Sequence, residues 1–332
     1  LLYAGDPCSA DSCMIGGNIA TNAGGNRAVR YGTTRDQIYA VEVVTPTGEI
    51  VNLGARLKKK STGYCLEQLI MGSEGTLGII TKATLKLLPL PPYRLDLLAI
   101  FTDLHKAVTL VPNLIKAGLN PTSVEFMDNK FVRSSSDYCE TKLPHYEDGC
   151  YLIVTIETFN EDELDTKMEQ LDEICESSGA VDVLEADDRV WNLRRNCLES
   201  TRSISLIGSS DDLVVPVDQI ANCITHLMDV SKDFKFNLFC LAHAGDGNLH
   251  FQLLKGDMTD QEWEDQVNGF HAIAYPYVYS LGGRLSGEHA IGAKKLAAME
   301  KVTDPVELNM MRAIKRALDP KDILNPGKIF NV

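Results

Sequence analysis

Tyr151-Leu152-Ile153-Val154-Thr155-Ile156-Glu157 is followed by an acidic stretch with Leu164, Met168, Leu171 and Cys175 at helical spacing, then by Gly179 and Val181-Asp182-Val183-Leu184. Two short apolar, β-prone runs around an amphipathic segment read as strand, helix, strand. Asn160 and Glu163 are placed to cap the helix Glu161 to Ser178, and Gly179 to stop it. Upstream the same order occurs once more, with a strand from Arg94 to Phe101, a helix from Asp103 to Ala117 and a strand from Ser123 to Met127.

The two runs together give the β-α-β…β-α-β order of a ferredoxin-like antiparallel sheet, so the fold class expected is α+β. Downstream the pattern predicts a strand over Leu213 to Val217, a helix over Gln219 to Lys232 and a hairpin. Its arms are Phe236 to Leu241 and Phe251 to Leu254. Helices are expected over Thr259 to Ser280, Ala293 to Lys301 and Pro305 to Leu318, with turns around Asn325-Pro326-Gly327-Lys328.

The hairpin carries the chemistry. In His243-Ala244-Gly245-Asp246-Gly247-Asn248-Leu249-His250 the central Asp246-Gly247 is a dipeptide favoured in two-residue turns. Such a turn pairs 245 with 248, 244 with 249 and His243 with His250, whose Cβ atoms then lie about 5 Å apart on one face. Alternation puts Asn248 and Gln252 on the face of His250. A second segment, Gly282 to Gly292, holds Glu288-His289. Two histidines and a carboxylate form a three-ligand set with a coordination position left open, so His243, His250 and Glu288 are candidate metal ligands and His289 a candidate base beside them. Taken singly, the histidines read as polar residues beside a surface turn, and Glu288 as an acid at a helix N-terminus.

At 332 residues, 44% hydrophobic and 23% charged, the chain has the composition of a globular protein with one large or two smaller domains. A net charge of −14 argues against nucleic-acid partners and against an anionic membrane surface. No apolar run reaches the roughly 20 residues of a membrane span. The nine cysteines form no CxxC, which disfavours iron–sulfur or structural zinc ligation and suits reduced thiols in the cytoplasm. Leu1-Leu2-Tyr3 has no initiating methionine and reads as the interior of a longer protein.

Residues 1–92 are rich in glycine and asparagine, with strands expected over Ile38 to Thr45, Ile50 to Leu53 and Ile79 to Leu88, and Pro46-Thr47-Gly48 turning between the first two. Pro89-Leu90-Pro91-Pro92 marks a boundary. Three parts are expected, 1–92, 93–265 and a helical segment 266–332. Ile15-Gly16-Gly17-Asn18-Ile19-Ala20-Thr21-Asn22-Ala23-Gly24-Gly25-Asn26 and Gly72-Ser73-Glu74-Gly75-Thr76-Leu77-Gly78-Ile79-Ile80-Thr81 are so poor in large side chains that backbone must approach another strand or a large ligand there. Neither is a GxGxxG after a strand, so a Rossmann unit is disfavoured.

These glycine segments, with Tyr31-Gly32, the His243 to His250 element, Ser286-Gly287-Glu288-His289 and Asn325-Pro326-Gly327-Lys328, resemble the FAD-linked 2-hydroxyacid dehydrogenases of the vanillyl-alcohol oxidase superfamily. That group includes D-lactate dehydrogenase, the glycolate oxidase flavoprotein subunit and D-2-hydroxyglutarate dehydrogenase. The resemblance covers nearly the whole chain. It implies that 1–92 is the second part of an FAD-binding domain whose N-terminal subdomain, of roughly 100 residues or more, lies outside this sequence, so that the chain alone is not expected to hold FAD tightly. The ferredoxin-like part becomes a substrate-binding cap, and the last segment returns to the flavin.

By the same resemblance FAD is met by Gly16, Gly17, Asn18, Thr21, Asn22, Gly24, Gly25, Tyr31, Glu74, Gly75, Gly78, Ile79, Ile80 and Asn325. His243, His250 and Glu288 correspond to ligands of a divalent ion (zinc, iron or manganese), His289 to the catalytic base, Arg194 to the arginine that receives the substrate carboxylate, and Gln252 to an asparagine near the substrate. Relatives that take dicarboxylates carry a hydroxyl residue and a lysine where Leu198 and Ser210 stand here, which favours a small monocarboxylate such as D-lactate, with D-2-hydroxyglutarate or glycolate as the alternative substrates. With no nicotinamide site visible, electrons are expected to pass to an electron-transfer flavoprotein, an iron–sulfur subunit or a quinone. A homodimer and peripheral membrane attachment through a partner are compatible with this reading. The site residues by themselves leave open a metal-dependent hydrolase, and the lack of a complete flavin domain leaves open a non-catalytic subunit of a redox complex.

Overall fold

A computed structural model describes residues 1–332. The chain divides into two compact units, one formed by Leu1–Leu90 with Glu288–Val332 and the other by Pro91–Gly287. Their limits differ from the three parts read from composition, because the helix over 260–280 falls inside the second unit.

The first unit begins with helices α1 (Ile15–Thr21) and α2 (Ala28–Tyr31). Strands β1 (Ile38–Val44) and β2 (Ile50–Gly54), helix α3 (Leu66–Ile70) and strand β3 (Ile79–Leu85) follow. The strands form an antiparallel sheet in the order β2-β1-β3. Val44 pairs with Ile50 across the turn at Pro46 to Gly48, where Gly48 takes φ +84°. Ile19, Ile38, Val41, Val43, Ile70, Met71 and Leu77 make its core.

The second unit is one antiparallel sheet built from two halves. The first half is β4 (Tyr93–Phe101), α4 (Leu104–Lys116), β5 (Ser123–Met127), α5 (Asn129–Tyr138), β6 (Cys150–Thr158), α6 (Glu161–Ser177) and β7 (Asp182–Glu185). Helices α7 (Asp188–Arg195) and α8 (Cys197–Ile204) link it to the second half. That half is β8 (Gly208–Val214), α9 (Ile220–Val230), β9 (Asn237–His243), β10 (Asn248–Leu254) and α10 (Asp260–Ser280). The last two helices of the chain, α11 (Leu296–Val302) and α12 (Pro305–Leu318), belong to the first unit.

The sheet order is β7-β4-β6-β5-β9-β10-β8. Its first four strands follow the expected ferredoxin-like order, and the second half repeats it, with a single bridge from Arg284 to Val214 in place of a fourth strand. The halves join edge to edge through β5 and β9, where Glu125 pairs with His243 and Met127 with Leu241. Helices α4, α6, α9 and α10 pack on one face, while α5, α7 and α8 cover the other over Ile100, Met127, Ile153 and Leu241. No helix is long and apolar enough to cross a membrane, and all nine cysteines are free thiols.

Several elements differ from expectation. Residues 15–21 form a helix despite Gly16 and Gly17. The strand expected over Leu213 to Val217 lies instead at Gly208–Val214, because Pro216 has no N–H to extend a ladder while Ser210, Asp211 and Asp212 all pair with β10. In α6, Asn160 accepts from the Asp162 amide as expected, but Glu163 binds the Thr158 hydroxyl and Lys167 and closes no capping box. Only Leu171 and Cys175 of its apolar stripe are buried, and Met168 stays 38% exposed.

Asp128 ties the sheet to its covering helix. One carboxylate oxygen accepts from the Phe131 amide at 2.8 Å, capping α5, and the other from the Cys240 amide at 2.8 Å. Burial pushes its pKa up to about 7, against the pull of those two amides. A folded-state value above the unfolded 3.8 means the native protein holds the proton longer, so this group's contribution is present at low pH and is lost as pH rises from about 4 to about 7. Urea unfolding of the native chain and of Asp128→Asn should therefore differ in pH slope across that window by up to about 1.4 kcal/mol per pH unit; parallel slopes would show that Asp128 ionises normally.

Candidate functional site

The hairpin places both histidines on one sheet face, in a register that differs from the sequence reading. His243 pairs with Asn248, and Leu241 with His250, so the two histidines are diagonal neighbours rather than directly opposed. Ala244 to Gly247 form a four-residue loop in place of the two-residue turn. The reason lies in its surroundings: the Gly245 amide donates to the Val124 carbonyl of β5, drawing the loop toward that strand. Gly247, at φ +85°, lies so close to Val215 that an added Cβ would sit 2.0 Å from its carbonyl oxygen. The diagonal still brings the rings together, with centroids 5.2 Å apart and planes at 90°.

Glu125, which the sequence reading missed, sits directly across β5–β9 from His243 and is fully buried. Its carboxylate lies 2.9 Å from His243 Nδ1, and Arg194 donates to it from Nη2 at 2.6 Å and from Nε at 3.1 Å. Burial alone would raise its pKa, but His243 and Arg194 together hold it below the usual glutamate value. An ionised carboxylate only accepts, so the Nδ1 facing it carries a proton, and Nε2 is the ring nitrogen on the side away from Glu125. Arg194, expected to receive substrate, thus has its Nε–Nη2 edge engaged by Glu125.

Asp212, also unanticipated, organises the opposite side. It stands across β8–β10 from His250 and is 1% exposed. It accepts from Asn248 Nδ2 at 2.6 Å, from the Ser286 hydroxyl and from the Gly287 amide at 3.1 Å. The last residues of the second unit are fixed in this way, one position before Glu288. Gln252 faces Ser210 on the same strand pair and accepts its hydroxyl proton.

The remaining expected residues lie in the first unit. Glu288 and His289 are adjacent there, His289 Nε2 being 3.6 Å from a Glu288 oxygen. A Cβ on Gly16 or Gly17 would meet nothing within 4 Å, so one face of α1 is bare backbone. Asn18 donates to Cys13 Sγ, and the Thr21 hydroxyl to the Gly17 carbonyl. Asn22 ends α1 in left-handed geometry and accepts from the Arg35 amide and the Thr33 hydroxyl. The Tyr31 carbonyl accepts from Gln37.

Gly25 and Gly78 are required by packing, since a Cβ would lie 1.9 Å from the Asp6 carbonyl oxygen and 2.5 Å from Val43 respectively, and one on Gly24 would lie 3.0 Å from the Glu288 Cβ. Glu74 caps the segment after His289 by accepting from the Ile291 and Gly292 amides at 2.9 and 2.8 Å, and its carbonyl accepts from Asn325. Gly75 follows at φ +73°, and Ile79 and Ile80 open β3. Lys315 holds the C-terminal tail against this loop, donating to the Thr76 and Leu324 carbonyls at 3.0 and 2.9 Å and to Asp319 at 2.6 Å.

Breaking a buried ion pair from one side leaves a charge uncompensated, at a cost of about 3–5 kcal/mol. Glu125→Gln should lower unfolding stability by that order, and Glu125→Gln with Arg194→Met should recover part of it. A change in Glu125→Gln of less than about 0.5 kcal/mol, the range of neutral surface substitutions, would show that the network carries little of the fold.

Residues 90–329 match the family of FAD linked oxidases, C-terminal domain, and residues 1–54 match an FAD binding domain. The chain is 39% identical to a D-lactate dehydrogenase of Anaerostipes hadrus, over 99% of this chain and 71% of that protein. It is 35% identical to glycolate oxidase subunit GlcD of Bacillus subtilis, over 99% of this chain and 71% of the relative. Its fold is similar to that of 4-ethylphenol oxidase from Gulosibacter chungangensis, with a TM-score of 0.73 at 16% identity, covering 100% of this chain and 72% of that one. These matches bear out the resemblance read from the motifs: the chain belongs to the family of FAD linked oxidases.

Proposed function

We propose that the protein oxidises a small D-2-hydroxy acid, D-lactate first among them, to the 2-oxo acid and passes the electrons to a protein or quinone acceptor. The observation that carries this reading is the paired His243 and His250 with Glu125 fixing Nδ1 of the first. A flavin enzyme that acts on simple phenols has no need of such a nitrogen pair, whereas an α-hydroxy-carboxylate chelates a divalent ion well. The names of the relatives, D-lactate dehydrogenase and glycolate oxidase subunit, point the same way.

Two imidazole nitrogens suit a borderline divalent ion, and Glu288 is the third ligand in this proposal. The bare backbone of Gly16 and Gly17 suits the close approach of a large planar ligand. When bound, FAD supplies the hydride acceptor and the ion supplies Lewis acidity toward the hydroxyl. Arg194 receives the substrate carboxylate, its guanidinium being held in place by Glu125. His289 takes the hydroxyl proton. Gln252 and Ser210 close the end where a longer substrate would extend. The flavin-domain matches set aside the hydrolase reading.

Anaerobic mixing of the FAD-loaded protein with D-lactate should bleach the flavin, and His289→Ala should abolish bleaching while FAD stays bound; rapid bleaching of that variant would sink the assignment. Ser210→Lys should shift the preference toward D-2-hydroxyglutarate by roughly tenfold or more, the order of one new charge-assisted contact. An unchanged ratio would place the distal end of the substrate elsewhere.

A further inference from the structure

The apolar stripe of α6 is only half used by the fold. Leu171 and Cys175 are buried, whereas Met168 is exposed and lines an open cavity of about 270 Å³. Leu95 and Leu97 of β4 and Val183 and Leu184 of β7 give it apolar lining, and Glu169, Asp172 and Glu185 line it as well. Beside it, β7 is the terminal strand of the sheet and pairs only with β4, so the outer backbone edge of Asp182–Glu185 meets no further strand. An apolar lining beside an unpaired strand is the arrangement that takes up an added extended segment.

Charge decides what kind. Helix α6 carries eight acidic residues against Lys167, half of the chain's net charge of −14. Across a two-fold axis a second copy would set Glu185 and the α6 acids against themselves, and like charges so placed are repelled. We propose that the β7–α6 edge docks an extended basic segment of another protein. Its backbone pairs with Asp182–Glu185, alternate apolar side chains enter the cavity that Met168 lines, and its lysines or arginines face Asp172 and Glu185.

Four strand spacings, about 19 Å, separate β7 from β9. A partner held there leaves the strand that carries His243 uncovered. This inference does not depend on which substrate the protein oxidises.

The test uses the full chain and two labelled peptides, one alternating lysine with leucine and valine and the other with glutamate in place of lysine. By fluorescence anisotropy the basic peptide should bind roughly tenfold tighter or better, as expected when like charges are set against one another in the acidic one. Asp172→Lys with Glu185→Lys should reverse that preference, and Met168→Glu should abolish binding of the basic peptide, with flavin reduction unchanged in both variants. Hydrogen exchange should slow at the Asp182–Glu185 amides when the basic peptide is present. Equal binding of the two peptides, protection spread away from β7, or a wild-type dimer in sedimentation that Met168→Glu dissolves would each overturn the proposal.

Discussion

A carboxylate with no access to water has to be matched, and the match made by Glu125 orders everything around it. It sits at the junction of β5 and β9, where the two halves of the sheet meet, and is held by Arg194 and His243. Desolvation of the ion would be prohibitive alone; a guanidinium on one side and an imidazole N–H on the other make it tolerable. The same bonds hold a proton on Nδ1 of His243 and fix the position of α7, which carries Arg194. Stability and site geometry therefore rest on one network.

The doubled architecture explains why that network lies where it does. Each half presents its second strand, β5 or β9, as an edge, and joining those edges removes both. The seam brings residues of distant sequence together on one face: Glu125 from the first half, His243 and His250 from the second, and Arg194 from the helices between. Asp212 plays the matching part at β8, where it faces His250 and binds Asn248, Ser286 and Gly287. A polar row on a sheet otherwise packed with leucine, isoleucine and phenylalanine is costly unless every member is satisfied, and these members satisfy one another.

Much of the fold was legible because it followed periodicity. The strands around Ser123–Met127 and Tyr151, the helix over Pro305–Leu318 and the long helix ending at Ser280 lie where apolar spacing put them. What escaped was governed by partners far away in sequence. Ser210, Asp211 and Asp212 look like a loop, yet they are strand, because Gln252, the His271–Tyr275 pair and Asn248 answer their side chains. The hairpin register slipped from the expected one because Gly245 binds a strand more than a hundred residues upstream. Glu125 had no local signal at all: in Ser123-Val124-Glu125-Phe126-Met127 it reads as the outward residue of a half-exposed strand, and only helices α5, α7 and α8 make it buried. The family, by contrast, was legible from the separated motifs taken together.

If the His243–His250 pair serves a divalent ion during hydroxyacid oxidation, as proposed, flavin reduction has to follow the metal. The measurement is anaerobic flavin reduction by D-lactate in FAD-loaded protein whose metal has been removed by chelation and then restored. The chelated protein should keep its yellow flavin unreduced, and returning zinc, manganese or iron(II) should restore bleaching. Bleaching at the original rate in metal-free protein would rule out a role for the ion.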